Sequence, residues 1–271
     1  MKAWLTIVFS LLLLLPAWAQ EQTDLFERNE HLTIGVGITL NTVRDQAHSA
    51  FTYNGKGTRF FISYERIRPD WISRMSISFD DVKLRARIKP RRDINRSASL
   101  SDFQFSIGYY ARLGDQVTID NQQYLGGSFN VQINSRNYPL PTNNRIGVML
   151  QSSIAVGVVD RRAIDGADNW AFTTRFDLPV VTTLYRPTYI GIPPFLHIAK
   201  VGAKEVISNF DIVSLGRFFK PTFGIDADFQ QKAWRTDRLS YDWNLFYTPL
   251  PETKPILSTS GSLSYGFRVR L

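Results

Sequence analysis

The chain predicts an all-β fold, an antiparallel up-and-down barrel of about ten strands that crosses a membrane with those strands. Three observations carry the prediction. The last fifteen residues, Leu257 to Leu271, alternate between an apolar and a polar face without a break. Nine earlier segments repeat the pattern, and none shows a sustained helical stripe. The polar faces are rich in Ser, Gly, Thr, Asn and Gln and poor in Lys, which suits a crowded interior better than a solvated surface. Successive strand side chains point to opposite sides, so each segment has one greasy and one polar face.

The N-terminus reads as an export signal over 1–19. Lys2 supplies the charge, Leu5 to Leu15 the apolar run, Pro16 the break, and Ala17-Trp18-Ala19 a small-x-small cleavage site, so the mature chain is expected to begin at Gln20. The run falls short of the roughly 20 apolar residues that a helix needs to span a bilayer. Residues 20–31 are expected to form a short periplasmic segment and 32–271 the barrel. Lys2 is the only charged residue of the signal, so its removal lowers the net charge from +8 to +7. For an exported protein that balance suggests anionic head groups or acidic glycans, and no nucleic-acid-binding motif is present. The absence of cysteine excludes disulfides, a lipid-anchored cysteine and a thiol nucleophile.

The elements follow in order. Strand 1 (Leu32 to Asn41) sets Leu32, Ile34, Val36, Ile38 and Leu40 opposite Thr33, Thr39 and Asn41. Strand 2 (near Arg59 to Ile67) sets Phe60, Ile62 and Tyr64 opposite Arg59, Ser63 and Glu65, and strand 3 (Trp71 to Phe79) sets Met75, Ile77 and Phe79 opposite Arg74, Ser76 and Ser78. Strand 4 carries Phe103, Phe105, Ile107 and Tyr109, strand 5 Leu125, Phe129, Val131 and Ile133, and strand 6 Ile146, Val148, Leu150, Ile154 and Val156. Strand 7 carries Trp170, Phe172, Phe176 and Leu178 opposite Arg175 and Asp177. Strand 8 sets Phe223, Ile225 and Phe229 opposite Asp226 and Asp228, and strand 9 sets Leu239, Tyr241, Trp243, Leu245 and Tyr247 opposite Ser240, Asp242 and Asn244. Twelve strands stay open, because Val180 to Tyr189 and Ile212 to Phe219 could each supply one more. The links after strands 1, 3, 5, 7 and 9 (42–58, 80–100, 134–145, 179–220 and 248–256) are mostly longer than the return links, as in barrels with short periplasmic turns.

Strand 10 sets Leu257, Leu263, Tyr265, Phe267, Val269 and Leu271 opposite Ser258, Ser262, Ser264, Arg268 and Arg270. It resembles the closing strand of Gram-negative outer-membrane β-barrels, with Tyr265, Phe267, Val269 and Leu271 as the C-terminal signal. Those families usually end on Phe or Trp, and this chain ends on Leu271. The resemblance implies the outer membrane as location, and outer-membrane lipid, lipopolysaccharide and the barrel-assembly machinery as partners. Trp71, Trp170, Tyr241, Trp243 and Tyr247 on the apolar faces fit interfacial aromatic girdles.

Inward charges group into a candidate lumen network of Arg175, Asp177, Asp226, Asp228, Asp242, Arg268 and Arg270, since an unpaired buried charge is expensive. The three aspartates of strands 8 and 9 also admit a cation site or an aspartyl-protease-like site, with charge balancing favoured. The second feature is basic: Lys83, Arg85, Arg87, Lys89, Arg91 and Arg92, interleaved with Val82, Leu84, Ala86 and Ile88. It reads as strand 3 continuing beyond the membrane with one cationic face, shifted by a β-bulge at Asp80 and Asp81. Lipopolysaccharide phosphates, an anionic glycan or an acidic partner would fit that face. Asp45, His48 and Ser49 share the first outer loop, but sequence proximity is not triad geometry, so no catalytic residue is assigned. His31 precedes strand 1 and His197 lies in the fourth outer link. No cysteine or histidine cluster indicates a metal, and nothing indicates a cofactor.

The function expected is that of a non-enzymatic barrel whose outer loops engage a surface ligand or another envelope protein, with a narrow pore or transport component and a lipid-modifying enzyme as the alternatives.

Overall fold

The computed structural model describes residues 29–46, 51–86, 97–114, 121–138, 146–164, 167–185, 210–232, 234–249 and 255–271. They form β1 (Asn29–Asp45), β2 (Thr52–Ile67), β3 (Trp71–Ala86), β4 (Ser97–Arg112), β5 (Asn121–Asn137), β6 (Ile146–Ile164) and β7 (Ala167–Tyr185). A short β8 (Asp211–Ser214) precedes β9 (Thr222–Lys232), β10 (Arg235–Thr248) and β11 (Ile256–Arg270). Each strand is antiparallel to its neighbours, and β1 pairs with both β2 and β11, which closes the ring. β8 and β9 both lie beside β7, one above the other, so the ring has ten positions.

Ten, not twelve, is therefore the strand number. Val180 to Tyr185 continues β7 past Pro179, and Ile212 belongs to the short β8 that completes the position of β9. The bridging segments at the end carrying both termini are 68–70, 113–120, 165–166 and 233–234, and three of these four are no more than three residues long. That end is taken as periplasmic, and the links at the outer end include 87–96 and 186–210.

The two faces are inverted relative to a soluble protein. Ile38 is 63% and Leu263 54% exposed on the outside, whereas Arg238 and Arg268 are 1% and 2% exposed inside. Large apolar side chains on every long strand except β9 share this exposure. In water such a belt would be a severe liability, so its solvent is lipid. Closure gives every barrel strand a neighbour on each side, as a bilayer requires.

The strands run farther outward than the apolar-out pattern indicates, because the pattern reverses. Phe60, Phe79, Phe103 and Ile133 are register neighbours facing out, and the next outward row is Thr58, Asp81, Ser101 and Ser135. Beyond it the inside turns apolar: Val43, Tyr53, Val82, Leu84, Ala98, Leu100 and Tyr138 pack together. No bulge is needed at Asp80 and Asp81, where pairing with β2 and β4 continues without a register shift. Asp80 is buried, Asp81 is exposed, and the strand keeps its phase while its surroundings change from lipid to water. A second inward cluster at the outer end joins Met149, Leu184, Val213, Phe218, Phe246 and Ile256, and a third at the periplasmic end joins Ile67, Ile72, Tyr110, Tyr124 and Val159.

One inward aromatic has a local explanation. Phe61, Gly35 and Gly266 are register neighbours, and a Cβ on Gly35 would fall 2.2 Å from the Phe61 ring. The ring thus covers two glycines whose backbone would otherwise face the lumen.

Candidate functional site

The lumen is filled by charge. In its periplasmic half Arg238 on β10 forks onto Asp228 of β9, with Nε donating to Oδ1 at 2.7 Å and Nη2 to Oδ2 at 2.8 Å. Arg268 of β11 donates to the same Asp228 at 2.5 Å and to Glu65 of β2 at 2.5 Å, and Arg238 also reaches Glu65 at 3.2 Å. Two guanidinium groups thus share two carboxylates in a closed four-membered arrangement, the geometry in which buried ions best offset their desolvation.

One layer outward, Arg175 of β7 lies 3.4 Å from Asp226 and 3.2 Å from Asp242, and Arg59 of β2 lies 3.6 Å from Asp242 and 3.7 Å from Asp80. Arg59 also donates to Ser262 of β11. Arg74 of β3 contacts Asp226 of β9 at 3.3 Å. β3 and β9 occupy opposite positions of a ten-position ring, so this one contact crosses the full width of the lumen. Nearer the mouth, Arg136 of β5 pairs with Asp45 of β1 at 2.8 Å, and Gln132 links Lys220 (2.6 Å) to Asp102 (2.7 Å). Between these layers is a chamber of about 140 Å³.

Of the lumen residues expected from sequence, Arg175, Asp226, Asp228, Asp242 and Arg268 are joined in ion pairs. Asp177 accepts instead from the Tyr110 hydroxyl at 2.8 Å. Arg270 lies one inward position beyond Arg268, opposite His31 at the periplasmic rim. Sequence reasoning omitted Arg238, which precedes the first apolar residue of its strand, and left Arg59, Glu65 and Arg74 outside the network although their inward phase was legible. Asp80 and Arg136 lie on strand extensions read as the links 80–100 and 134–145, and Asp102 falls between the first of these links and Phe103, the first residue assigned to strand 4.

The three aspartates Asp226, Asp228 and Asp242 are each engaged by arginine, and Asp45 is held by Arg136. His48, Ser49 and His197 lie outside the described residues, as does the signal segment 1–19. Among the described residues no group of three His, Cys, Asp or Glu side chains is placed to hold a metal ion.

The second site is on the outside of the wall beyond the lipid belt. Lys83 and Arg85 of β3 are exposed, Lys56 of β2 faces Lys83 directly, and Arg44 of β1 is exposed nearby. Like charges in direct register repel. Among the described residues none of these four has an ion-pair partner, and Asp81 is the acidic neighbour on that face. Arg87, Lys89, Arg91 and Arg92 lie outside the described residues.

On the closing strand Tyr265 is half exposed, and Phe267 lies between the Arg235 guanidinium, 4.9 Å from its ring centroid, and Trp234 at 6.4 Å. Val269 faces outward yet is covered, and the Leu271 amide donates to Glu30 at 2.9 Å.

No family model matches the chain, and no curated protein matches it. Among solved structures, it is similar to the outer membrane protease OmpT from Escherichia coli at 7% identity with a TM-score of 0.50, covering 93% of this chain and 100% of that one. It is also similar to the translocator domain of the autotransporter NalP from Neisseria meningitidis, at 9% identity and a TM-score of 0.43 over 98% and 96% of the two chains. Neisserial surface protein A gives 12% identity and a TM-score of 0.36 over 89% and 97%. The fold is that of the Gram-negative outer-membrane β-barrels.

Proposed function

We propose that this chain is a non-enzymatic outer-membrane barrel that serves as an anchor, with a filled lumen and an outer wall that holds the phosphate groups of lipopolysaccharide. The observation that carries the reading is the cationic face: Lys56 directly opposite Lys83, with Arg85 and Arg44 beside them and no ion-pair partner among the described residues. It begins just above the apolar row of Phe60, Phe79 and Phe103, which is the level of lipid head groups. Phosphate oxyanions there would relieve the repulsion and complete the pairing. The wall-to-wall contact of Arg74 with Asp226 supports an anchor over a conduit.

Each basic residue near an anionic membrane surface contributes on the order of 1 kcal/mol. Changing Arg44, Lys56, Lys83 and Arg85 together to glutamine is therefore expected to weaken binding of purified lipopolysaccharide to the reconstituted barrel by about a thousandfold. Dephosphorylated lipid should bind wild type and variant alike. Equal binding of phosphorylated lipid by both would refute the assignment.

A further inference from the structure

The chamber and the wall beside it have a feature that the anchor reading does not use. β7 pairs with β9 as far as Asp177 opposite Thr222 and with β8 from Val181 opposite Ser214, so Leu178, Pro179 and Val180 have no register partner on that side. The seven residues 215–221 fill a place where three would continue the strand. Pro179 and Pro221 both lack an N–H, so neither seeks a partner across the break.

The 215–221 segment stays joined to β10, where Phe219 and Tyr247 exchange backbone bonds of 2.9 and 2.8 Å. The discontinuity is thus a seam against β7 alone. Leu215 and Phe219 face out from it, and Phe218 packs inward against Phe246. The seam takes in Leu178 and lies just outward of Phe172 and Phe176 on the apolar face of β7. Irregular backbone at such a depth is tolerated where it lines a water-filled cavity, and Pro179 and Lys220 both line the chamber.

The ionisable lining of the chamber is unbalanced. Arg59, Arg74, Arg175 and Lys220 face it against Asp177 and Asp242. The three arginines have carboxylate partners, whereas the Lys220 ammonium is bonded to the neutral Gln132 amide oxygen at 2.6 Å. Among the described residues no carboxylate lies within ion-pair distance of it. An inward ammonium in that position is set to receive an anion.

We propose that the chamber is a binding site for an anionic head group, carboxylate or phosphate, seated on Lys220, with the seam beside Pro179 as the path for any attached apolar tail. The volume admits a head group and excludes a whole lipid. The barrel reconstituted in nanodiscs is titrated with radiolabelled palmitate and, separately, with inorganic phosphate. Saturable binding of at least one probe is expected, weakened at least tenfold in Lys220→Met and restored in Lys220→Arg, with heat-modifiable migration unchanged in both. An Ala155→Phe variant, which fills the chamber beside Pro179, should lose binding with Lys220 intact. Palmitate binding with phosphate silent assigns the head group to a membrane lipid, and phosphate binding with palmitate silent assigns it to a free anion. Binding of neither, or binding indifferent to both Lys220→Met and Ala155→Phe, overturns the proposal.

Discussion

Ending the chain at Pro255, which removes β11, is expected to abolish insertion altogether. β11 pairs residue for residue with fifteen positions of β1 and fourteen of β10, and no other described strand can bridge those two edges. Without it the ring opens and two long strand edges face hydrocarbon. Each unsatisfied backbone group there costs several kcal/mol, so the deficit far exceeds the 5–15 kcal/mol or so that holds a typical domain together. Arg268 leaves with the strand, so Glu65 and Asp228 each lose one of their two guanidinium partners. Outer-membrane fractions compared by electrophoresis with and without heating should show no heat-modifiable species. A folded, protease-resistant band from the truncated chain would be incompatible with the closure described.

The next largest effect is expected from one side chain. Arg238→Met leaves Asp228 and Glu65 sharing the single guanidinium of Arg268 in a site closed to solvent. Breaking a buried ion pair by removing one partner costs about 3–5 kcal/mol. A steep fall in the denaturant midpoint of the detergent-refolded barrel should follow. Arg238→Lys should fall between, since an ammonium cannot reproduce the two parallel bonds to Asp228. Adding Asp228→Leu to Arg238→Met should recover part of the loss, because it removes the stranded charge as well. Arg162 and Asp160, an ion pair 2.7 Å apart on the outside with the arginine 60% exposed, give the contrast. Arg162→Met should change stability by less than about 1 kcal/mol. Equal effects at Arg238 and Arg162 would mean that the lumen cluster is solvated.

The membrane-spanning part of the fold was legible because one rule governs it: apolar out, polar in, every second residue. Phe172, Phe176 and Leu178 on β7, or Leu257, Leu263 and Tyr265 on β11, obey it without reference to any other strand. The outer extensions were not legible by that rule because water replaces lipid there and the rule inverts. Val82, Leu84 and Leu100 turn inward while Asp81, Lys83 and Ser101 turn outward, so the apolar-out pattern stops at Phe79 and Phe103 although the strands do not. The false bulge at Asp80 and Asp81 arose from reading that inversion as a slip in phase. The charge network was partly legible for a related reason: inward phase is local, but partnership is not. Arg74 and Asp226 are 152 residues apart and meet only because the ring brings opposite walls together. Nothing local to either residue reports the other. The broken wall at Pro179 was equally hidden, since two prolines 42 positions apart acquire meaning only once β7 and β9 are neighbours.

The lumen is bridged from wall to wall by the Arg74–Asp226 contact, and electrical recording tests that seal most directly. The purified barrel in planar bilayers is predicted to show no steady conductance at moderate voltage. Currents should appear only when the bridges are removed, as in a combined Arg74→Ala and Arg238→Ala variant that still folds. Stable, uniform conductance steps from the unmodified protein would show an open path through the arginine and aspartate layers, and would contradict a barrel that acts as a sealed anchor.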